Sequence, residues 1–158
     1  MTDIIHRIGI KASLAAVYRA LGTVNGVAGW WTKETTGESR IGGIITVRFL
    51  DHGSDGRGPV TEKGRMDLEV SRLEPGKEVR WKVNAGPEEW IGTDVTFSLA
   101  EADGQTVVAF GHRNWREPVE FMAHCSMKWA TFLLSLREFV ETGTGRPAPD
   151  DLKIDNWN

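Results

Sequence analysis

Cysteine is almost absent from this sequence of 158 residues, in which Cys125 stands alone. A disulfide within the chain is therefore excluded, and a reducing compartment, the cytoplasm, is expected. The first ten residues are polar and mixed, so no signal peptide is predicted, and no apolar run is long enough to span a membrane. The formal net charge of -3 lacks the basic excess that is typical of nucleic-acid-binding proteins. We expect neither nucleic acid nor a membrane as a partner.

Familiar catalytic and metal-binding motifs are missing as well. The sequence contains no G-x-S-x-G elbow, no P-loop, no H-E-x-x-H and no C-x-x-C. Its four histidines, at positions 6, 52, 112 and 124, have no metal-ligand spacing. We therefore expect no metal site and no bound cofactor. Cys125 has no charged activator beside it and is interpreted as a small buried hydrophobic residue.

Tryptophan, in contrast, is abundant, with seven Trp against a single Tyr. Because an indole N–H is costly to bury without a partner, several of these side chains are expected to line a cavity or its rim. The length and the 40% of hydrophobic residues predict one domain with a substantial core. We place this domain at residues 1–145 and expect residues 146–158 to form a polar tail that lies on its surface.

One long amphipathic helix is predicted from Pro118 to Glu141. Apolar residues recur there at three- and four-residue spacing and so share one face: Met122, Cys125, Trp129, Phe132, Leu133, Leu136 and Phe139. Asn114 with Glu117 resembles a capping box, and Pro118 suits the first turn. Gly143 is expected to end the helix. Such a broad, bulky face requires a large concave apolar partner.

The preceding sequence supplies that partner. A first strand is predicted near Ile4–Ile10, then two short helices after Ser13 and over Val27–Trp31, and then about six strands with period-two alternation between positions 34 and 113. The stretch 52–59 (HGSDGRGP) is predicted to be a hairpin loop. Clean alternation indicates an antiparallel sheet with one packed and one wet face. The fold class is thus α+β, with a bent sheet of six to seven strands wrapped around the long helix.

Several short motifs resemble a known superfamily. They are Val17-Tyr18-Arg19-Ala20-Leu21, Trp30-Trp31, Gly42-Gly43, Trp81, Thr106 to His112, and Trp129 followed by Leu133, Leu136 and Glu141-Thr142-Gly143. In this order they resemble the helix-grip fold of the SRPBCC superfamily, which includes START domains and birch-pollen allergens. Within it, they are similar to the branch named after the activator of heat-shock protein 90 ATPase. The resemblance covers roughly residues 6–145. It implies binding of hydrophobic small molecules, cyclase or dehydratase activity, or sequestration of metabolites.

The space between sheet and helix is the predicted ligand site. Inward-facing side chains expected to line it are Trp30, Trp31, Phe49, Met66, Leu68, Trp81, Phe97, Phe110, His112, Met122, Trp129, Phe132 and Leu133. Ligand pockets are mainly apolar with a few placed polar groups, and this set has that character. The alternative is that these side chains fill a solid core.

Two polar residues are candidates for acid–base chemistry. His112 follows Val108 and Phe110 at period two and should face the cavity, where an imidazole can orient a ligand or move a proton. Glu62 shares the inward parity of Met66. The alternatives are a hydrogen-bonded histidine beside the long helix and a carboxylate beyond the sheet edge in water.

Three functions are therefore considered. The first is binding of a hydrophobic, aromatic or polyketide-like molecule. The second is a cyclase- or dehydratase-like enzyme that uses His112 and Glu62. The third is a protein-interaction module resembling a co-chaperone, although the outer sheet face is hydrophilic. We expect a monomer or a weak homodimer.

Overall fold

The computed structural model describes residues 1–51 and 58–158. Within these ranges the elements are, in chain order, β1 (Thr2–Ile10), α1 (Leu14–Gly22), α2 (Val24–Trp30), β2 (Glu34–Gly37), β3 (Ile44–Asp51), β4 (Thr61–Glu74), β5 (Glu78–Ala85), β6 (Asp94–Ala102), β7 (Gln105–Trp115) and α3 (Glu120–Thr142). The predicted order and the α+β helix-grip fold are confirmed. Most of the hairpin loop predicted at 52–59 lies outside the described residues.

All neighbouring strands are antiparallel, and their order is β1-β7-β6-β5-β4-β3-β2. Strands β2 to β7 form a meander, and β1 closes on β7, with Ile8 opposite Val108. Alternate residues of the central strands, such as Val79 and Trp81 of β5, are fully buried. The period-two pattern therefore produced the concave apolar face that the sequence predicted.

The two short helices begin at side-chain caps. Ser13 Oγ accepts the backbone N–H of Ala16 at 3.1 Å, and Thr23 Oγ1 accepts that of Gly26 at 3.0 Å. Because Thr23 caps it, α2 begins at Val24, three residues before the predicted start. Both helices pack beneath the sheet and bring the Trp30-Trp31 pair into the core.

The beginning of α3 differs from the prediction. Its N-cap is Val119, which makes no side-chain capping bond, and Pro118 lies before the helix. The predicted capping box is wrong, because Asn114 belongs to β7, has a φ of 73°, and bonds through its side chain to Asp94 at 2.8 Å. Gly143, in the left-handed region at a φ of 89°, ends the helix as predicted.

Helix α3 lies against the concave face of the sheet and buries its aromatic side. Trp129, Phe132 and Leu136 are all buried there. Ser135 Oγ donates to the carbonyl of Trp30 at 2.8 Å, which fixes α3 against α2. None of the helices in the described part of the chain is long and apolar enough to cross a membrane.

The tail after α3 returns across the domain. Ala148 forms a parallel bridge with Thr32 and bonds to the backbone on both sides, accepting from Lys33 at 3.1 Å and donating to Trp31 at 2.8 Å. The tail then continues beside α3, where Lys128 and Asp151 are 2.5 Å apart. This course places the tail over one end of the space between sheet and helix.

Candidate functional site

A cleft of about 660 Å³ opens between the β3–β4 end of the sheet, the N-terminal half of α3 and the tail. We call it the aromatic cleft. Its lining comprises Trp31, Phe49, Leu50, Asp51, Lys63, Gly64, Met66, Pro87, Trp90, Phe121, His124, Cys125, Lys128, Trp129, Phe132, Ala148, Pro149, Asp150, Asp151, Lys153, Trp157 and Asn158. The volume falls in the range of small-molecule sites in proteins.

Aromatic rings form the inner wall of the cleft and hold one another in place. Trp31 packs on Trp129 with ring centroids 4.9 Å apart, and Trp129 stacks on Trp90 at 5.9 Å. Behind them, Trp81 stacks on Trp31 at 5.8 Å and an interplanar angle of 3°. Ring pairs at such separations add to the stability that burial supplies. The inner wall is thus a rigid, flat-faced surface suited to apolar ligands.

The tail forms the opposite wall and is held by polar contacts to α3. Lys128 Nζ donates to the carbonyl of Leu152 at 2.7 Å, besides its contact with Asp151, and lies 4.9 Å from the ring centroid of Phe132. His124 Nδ1 and Asp155 Oδ2 are 2.7 Å apart. This hydrogen bond, with one from the Trp157 backbone, lowers the pKa of Asp155.

His112 is fully buried where β7 meets α3. The indole N–H of Trp129 donates to Nδ1 of His112 at 3.2 Å, and Nε2 lies 2.8 Å from Oγ1 of Thr93. Because an indole nitrogen only donates, Nδ1 is the acceptor and Nε2 carries the proton. Thr93 in turn donates to the Trp90 carbonyl at 2.5 Å. Burial lowers the pKa of His112 from 6.5 to about 3, so the ring is neutral at physiological pH.

His112 was predicted to face the cavity; its side chain is buried, and it lies outside the cleft lining. Trp90 packs edge-on against its ring, with centroids 4.5 Å apart, and Trp115 does so at 4.9 Å. Two indoles and the Trp129 bond therefore surround the imidazole. In this geometry Nδ1 joins β7 to α3 through Trp129, and Nε2 joins β7 to Thr93, the residue before β6.

Glu62 does not have the predicted inward parity. Phe49 pairs with Gly64, whereas the next residue, Leu50, pairs with Glu62, so β4 carries a β-bulge at position 63. A bulge inserts one residue and reverses the facing of those beyond it. Glu62 accordingly accepts a hydrogen bond from Nε of Arg48 at 2.9 Å and lies outside the cleft lining.

Cys125 lies in the cleft wall and is buried. The indole N–H of Trp90 donates to its Sγ at 3.4 Å. Burial raises the pKa of the Cys125 thiol to about 12, and the nearby Glu89 carboxylate acts in the same direction against the opposing Trp90 bond. The thiol is therefore a packing group that remains protonated, as the sequence indicated.

The predicted ligand-binding residues divide into two groups. Those that line the aromatic cleft are Trp31, Phe49, Met66, Trp129 and Phe132. Those that lie outside its lining are Trp30, Leu68, Trp81, Phe97, Phe110, His112, Met122 and Leu133, all buried except the half-buried Met122. The larger group belongs to the solid core that carries the cleft, so the cleft is nearer one end of the sheet than the pattern indicated.

Sequence reasoning missed three aromatic residues of the lining: Trp90, Trp157 and Phe121, which precedes the predicted apolar face of α3. Trp90 lies between β5 and β6, and Trp157 lies in the tail, where Phe121 packs against it at 6.3 Å. Neither Trp90 nor Trp157 belongs to a periodic apolar pattern, so periodicity could not find them. The abundance of tryptophan was the one available signal.

A second cavity lies between the start of α1 and the β6–β7 hairpin. It is mostly polar, and Lys11, Glu101 and Asp103 are among its lining residues. No aromatic side chain lines it, so it lacks the flat apolar walls of the aromatic cleft. Among the described residues, no three His, Cys, Asp or Glu side chains are grouped so as to hold a metal ion.

Comparison with known families gives a match over most of the chain. The family model described as "Activator of Hsp90 ATPase homolog 1-like protein" matches residues 11–141. None of the curated proteins compared with the chain matches it. The matched region runs from the β1–α1 junction to the end of α3 and so contains the sheet and helix walls of the cleft.

Solved structures share the fold. The Aha1 dimer from Colwellia psychrerythraea, a solution structure, is 44% identical, with a TM-score of 0.75 over 92% of this chain and 100% of that chain. Protein SSP2350 from Staphylococcus saprophyticus is 18% identical, with a TM-score of 0.69 over 93% and 98%. CalU16 from Micromonospora echinospora is 20% identical, with a TM-score of 0.67 over 93% and 77%. At their low identity, the last two show the fold alone.

Proposed function

Because the chain belongs to the Activator of Hsp90 ATPase homolog 1-like protein family and carries the aromatic cleft, we propose that it binds an apolar small molecule there. One observation carries the proposal: a cleft of about 660 Å³ is lined by aromatic side chains, the buried Trp31, Trp90 and Trp129 together with the more exposed Phe49, Phe121 and Trp157. An apolar ligand in the cleft gains roughly 25 cal/mol for each Å² of apolar surface removed from water, mostly its own surface and that of the more exposed lining residues.

Supporting polar contacts make the cleft a fixed site. The hydrogen bonds of Trp129 to His112 and of Trp90 to Cys125 hold both indoles before any ligand arrives. A binding site whose walls are already ordered loses little side-chain entropy on binding. These bonds therefore favour binding by a preformed cleft.

Gly64 provides a direct test. It lines the cleft, has no left-handed φ, and a Cβ built on it meets nothing within 4 Å. In Gly64→Phe the new ring should occupy the cleft without displacing the backbone. Titration with the fluorescent apolar probe N-phenylnaphthylamine should show saturable binding to the unmodified protein and binding at least about tenfold weaker to Gly64→Phe.

Gly64→Ala is the matched control, because its single methyl group leaves most of the cleft open. It should bind the probe as the unmodified protein does. Circular dichroism should show that both variants keep the fold. Absence of saturable binding to the unmodified protein, or equal binding to Gly64→Phe, would overturn the proposal.

The cyclase- or dehydratase-like alternative stays a prediction. Its two candidate residues lie away from the cleft lining, since His112 is enclosed by indoles and Glu62 bonds to Arg48. Turnover by this chain would thus require other residues. The protein-interaction alternative also stays a prediction.

For the assembly state we propose a homodimer. The support is the relative that is 44% identical and is a dimer in solution. Sedimentation velocity over a hundredfold range of protein concentration should show a species of twice the chain mass that grows with concentration. A single species of one chain mass throughout would contradict it.

A further inference from the structure

Three lysines line the aromatic cleft, and two of them share one carboxylate. Lys128 and Lys153 both bond to Asp151, at 2.5 and 2.8 Å. Within residues 1–51 and 58–158, Lys63 has no hydrogen bond or ion pair. Among the described residues that line the cleft, Lys63 is thus the one ammonium group without a hydrogen-bonded or ion-paired carboxylate.

Backbone geometry places that ammonium in the cleft. Strict alternation along β4 would direct Lys63 away from Met66 and toward the wet face. The β-bulge opposite Phe49 and Leu50 instead puts Lys63 on the same side as Gly64, so both line the cleft. Bulges often re-aim a side chain beside a functional site.

The surroundings of Lys63 disfavour a bare ammonium. Lys63 is an exposed residue, but partial burial lowers its pKa, and repulsion from Lys153 and, more weakly, Lys128 lowers it further. The carboxylates of Asp51 and Asp151 act in the opposite direction without cancelling the shift. An anion placed beside Lys63 would relieve this disfavour and form a charge-assisted hydrogen bond.

We infer that the ligand of the aromatic cleft is an aromatic carboxylate or a similar amphipathic acid, whose flat apolar body packs against the aromatic lining and whose anionic group contacts Lys63. This inference rests on the proposed function and specifies its ligand class. The less buried rings of the lining, Phe49 and Phe121, can stack with a planar body.

The test compares two probes with one aromatic body. Anilinonaphthalene sulfonate is anionic, whereas N-phenylnaphthylamine is its neutral counterpart. We expect the anionic probe to lose about five- to tenfold in affinity for Lys63→Met, and the neutral probe to bind both proteins within twofold. Because the mouth of the cleft is open to solvent, raising the salt concentration should weaken the binding of the anionic probe and leave that of the neutral probe unchanged.

Lys77→Met is the matched control, because Lys77 lies in the β4–β5 turn, away from the cleft lining. It should change neither affinity. If the neutral probe binds and the anionic probe is unaffected by Lys63→Met, the acid specificity is wrong while the proposed function stands. If neither probe binds the unmodified protein, both are wrong.

Discussion

Lys128 of α3 and Asp151 of the tail meet at 2.5 Å, and both side chains are nearly buried, with 12% and 7% of their surface exposed. Burial alone would raise the pKa of Asp151. Hydrogen bonds from Lys128 and Lys153 outweigh it, and the pKa lies below its usual value. This pair therefore joins the tail wall of the cleft to the helix wall.

Asp151→Asn should release the tail. The change leaves Lys128 partly buried without its counter-charge, and breaking a buried pair costs up to about 3 kcal/mol. We expect amide hydrogen exchange to accelerate over residues 148–158, while exchange in α3 and the strands stays slow. Hydrogen-exchange mass spectrometry measures this directly. Because the pKa of Asp151 is lowered, the same loosening should develop in the unmodified protein as acid protonates this carboxyl.

Asp150→Asn serves as the comparison for the tail experiment. Asp150 pairs with Lys33 at 2.7 Å, but both side chains are more than half exposed. Exposed pairs contribute at most about 1 kcal/mol. Tail exchange should barely change, and equal effects of the two substitutions would refute a special role for the Lys128–Asp151 pair.

Stability should depend on pH through His112. Its pKa is about 3 in the folded chain and near 6.5 when exposed. Between these values the unfolded state binds a proton that the folded state does not, so this residue lowers stability by about 1.4 kcal/mol for each unit that the pH falls. Urea unfolding from pH 7 to pH 5 should show the decline.

His112→Asn removes that titration while keeping an acceptor for Trp129. The variant should be less stable at pH 7, because Thr93 loses its hydrogen bond with His112 and the smaller side chain leaves space among the surrounding indoles. The difference in free energy of unfolding between this variant and the unmodified protein should become smaller as the pH falls, because acid destabilises only the protein that carries His112. Other titrating groups cancel in this difference, so a gap that is constant with pH would show that His112 is not buried and neutral.

Cys125 should resist alkylation in the folded protein. With its thiol pKa raised to about 12 and its side chain buried, almost no thiolate is available near pH 8. Reaction with iodoacetamide, followed by mass spectrometry, should be at least about 100-fold slower than in guanidinium. Equal rates under the two conditions would contradict the conclusion that the Cys125 thiol is buried and protonated in the folded protein.

Gly26→Ala should destabilise the fold by about 2 kcal/mol, although alanine suits a helix better than glycine. A Cβ at Gly26 would lie 2.5 Å from the carbonyl oxygen of Arg19 and 2.6 Å from that of Ala20, both backbone atoms of α1. The thermal midpoint should fall by about 4–8 °C in calorimetry. Gly64→Ala, with open space around it, should stay within about 0.5 kcal/mol of the unmodified protein. Equal stability of the two variants would contradict the close α1–α2 approach.

Much of this fold was predictable because its long elements obey simple periods. Alternation in β5 and β6 directed Trp81 and Phe97 inward, and the spacing of Trp129, Phe132 and Leu136 defined the buried face of α3. Where a local signal competed with the context, prediction failed. Asn114 looked like a helix cap, yet β7 continues through it because its backbone N–H and side chain bond to Asp3 and Asp94.

The cleft was harder to predict than the fold. The β-bulge reverses the faces of the sheet that strict alternation predicts for Glu62 and Lys63. Such a bulge cannot be recognised from the periodic pattern of the sequence. Trp157 reaches the cleft only because the tail returns over α3, a long-range contact that no local pattern encodes. Periodicity identifies the side chains that face inward, but it does not show which of them line the cleft. Phe110 and Trp129 were therefore both predicted to line it, although only Trp129 does.

The pairing of β1 with β7 has a consequence for biosynthesis. Ile10 lies opposite Thr106, so the first strand has no partner until nearly a hundred further residues have been made. At roughly 5–20 residues per second, its apolar side chains wait about 5–20 s on the ribosome. The nascent protein thus passes through an interval in which an unpaired strand edge is open to aggregation or to a chaperone, and closure of the sheet is a late step.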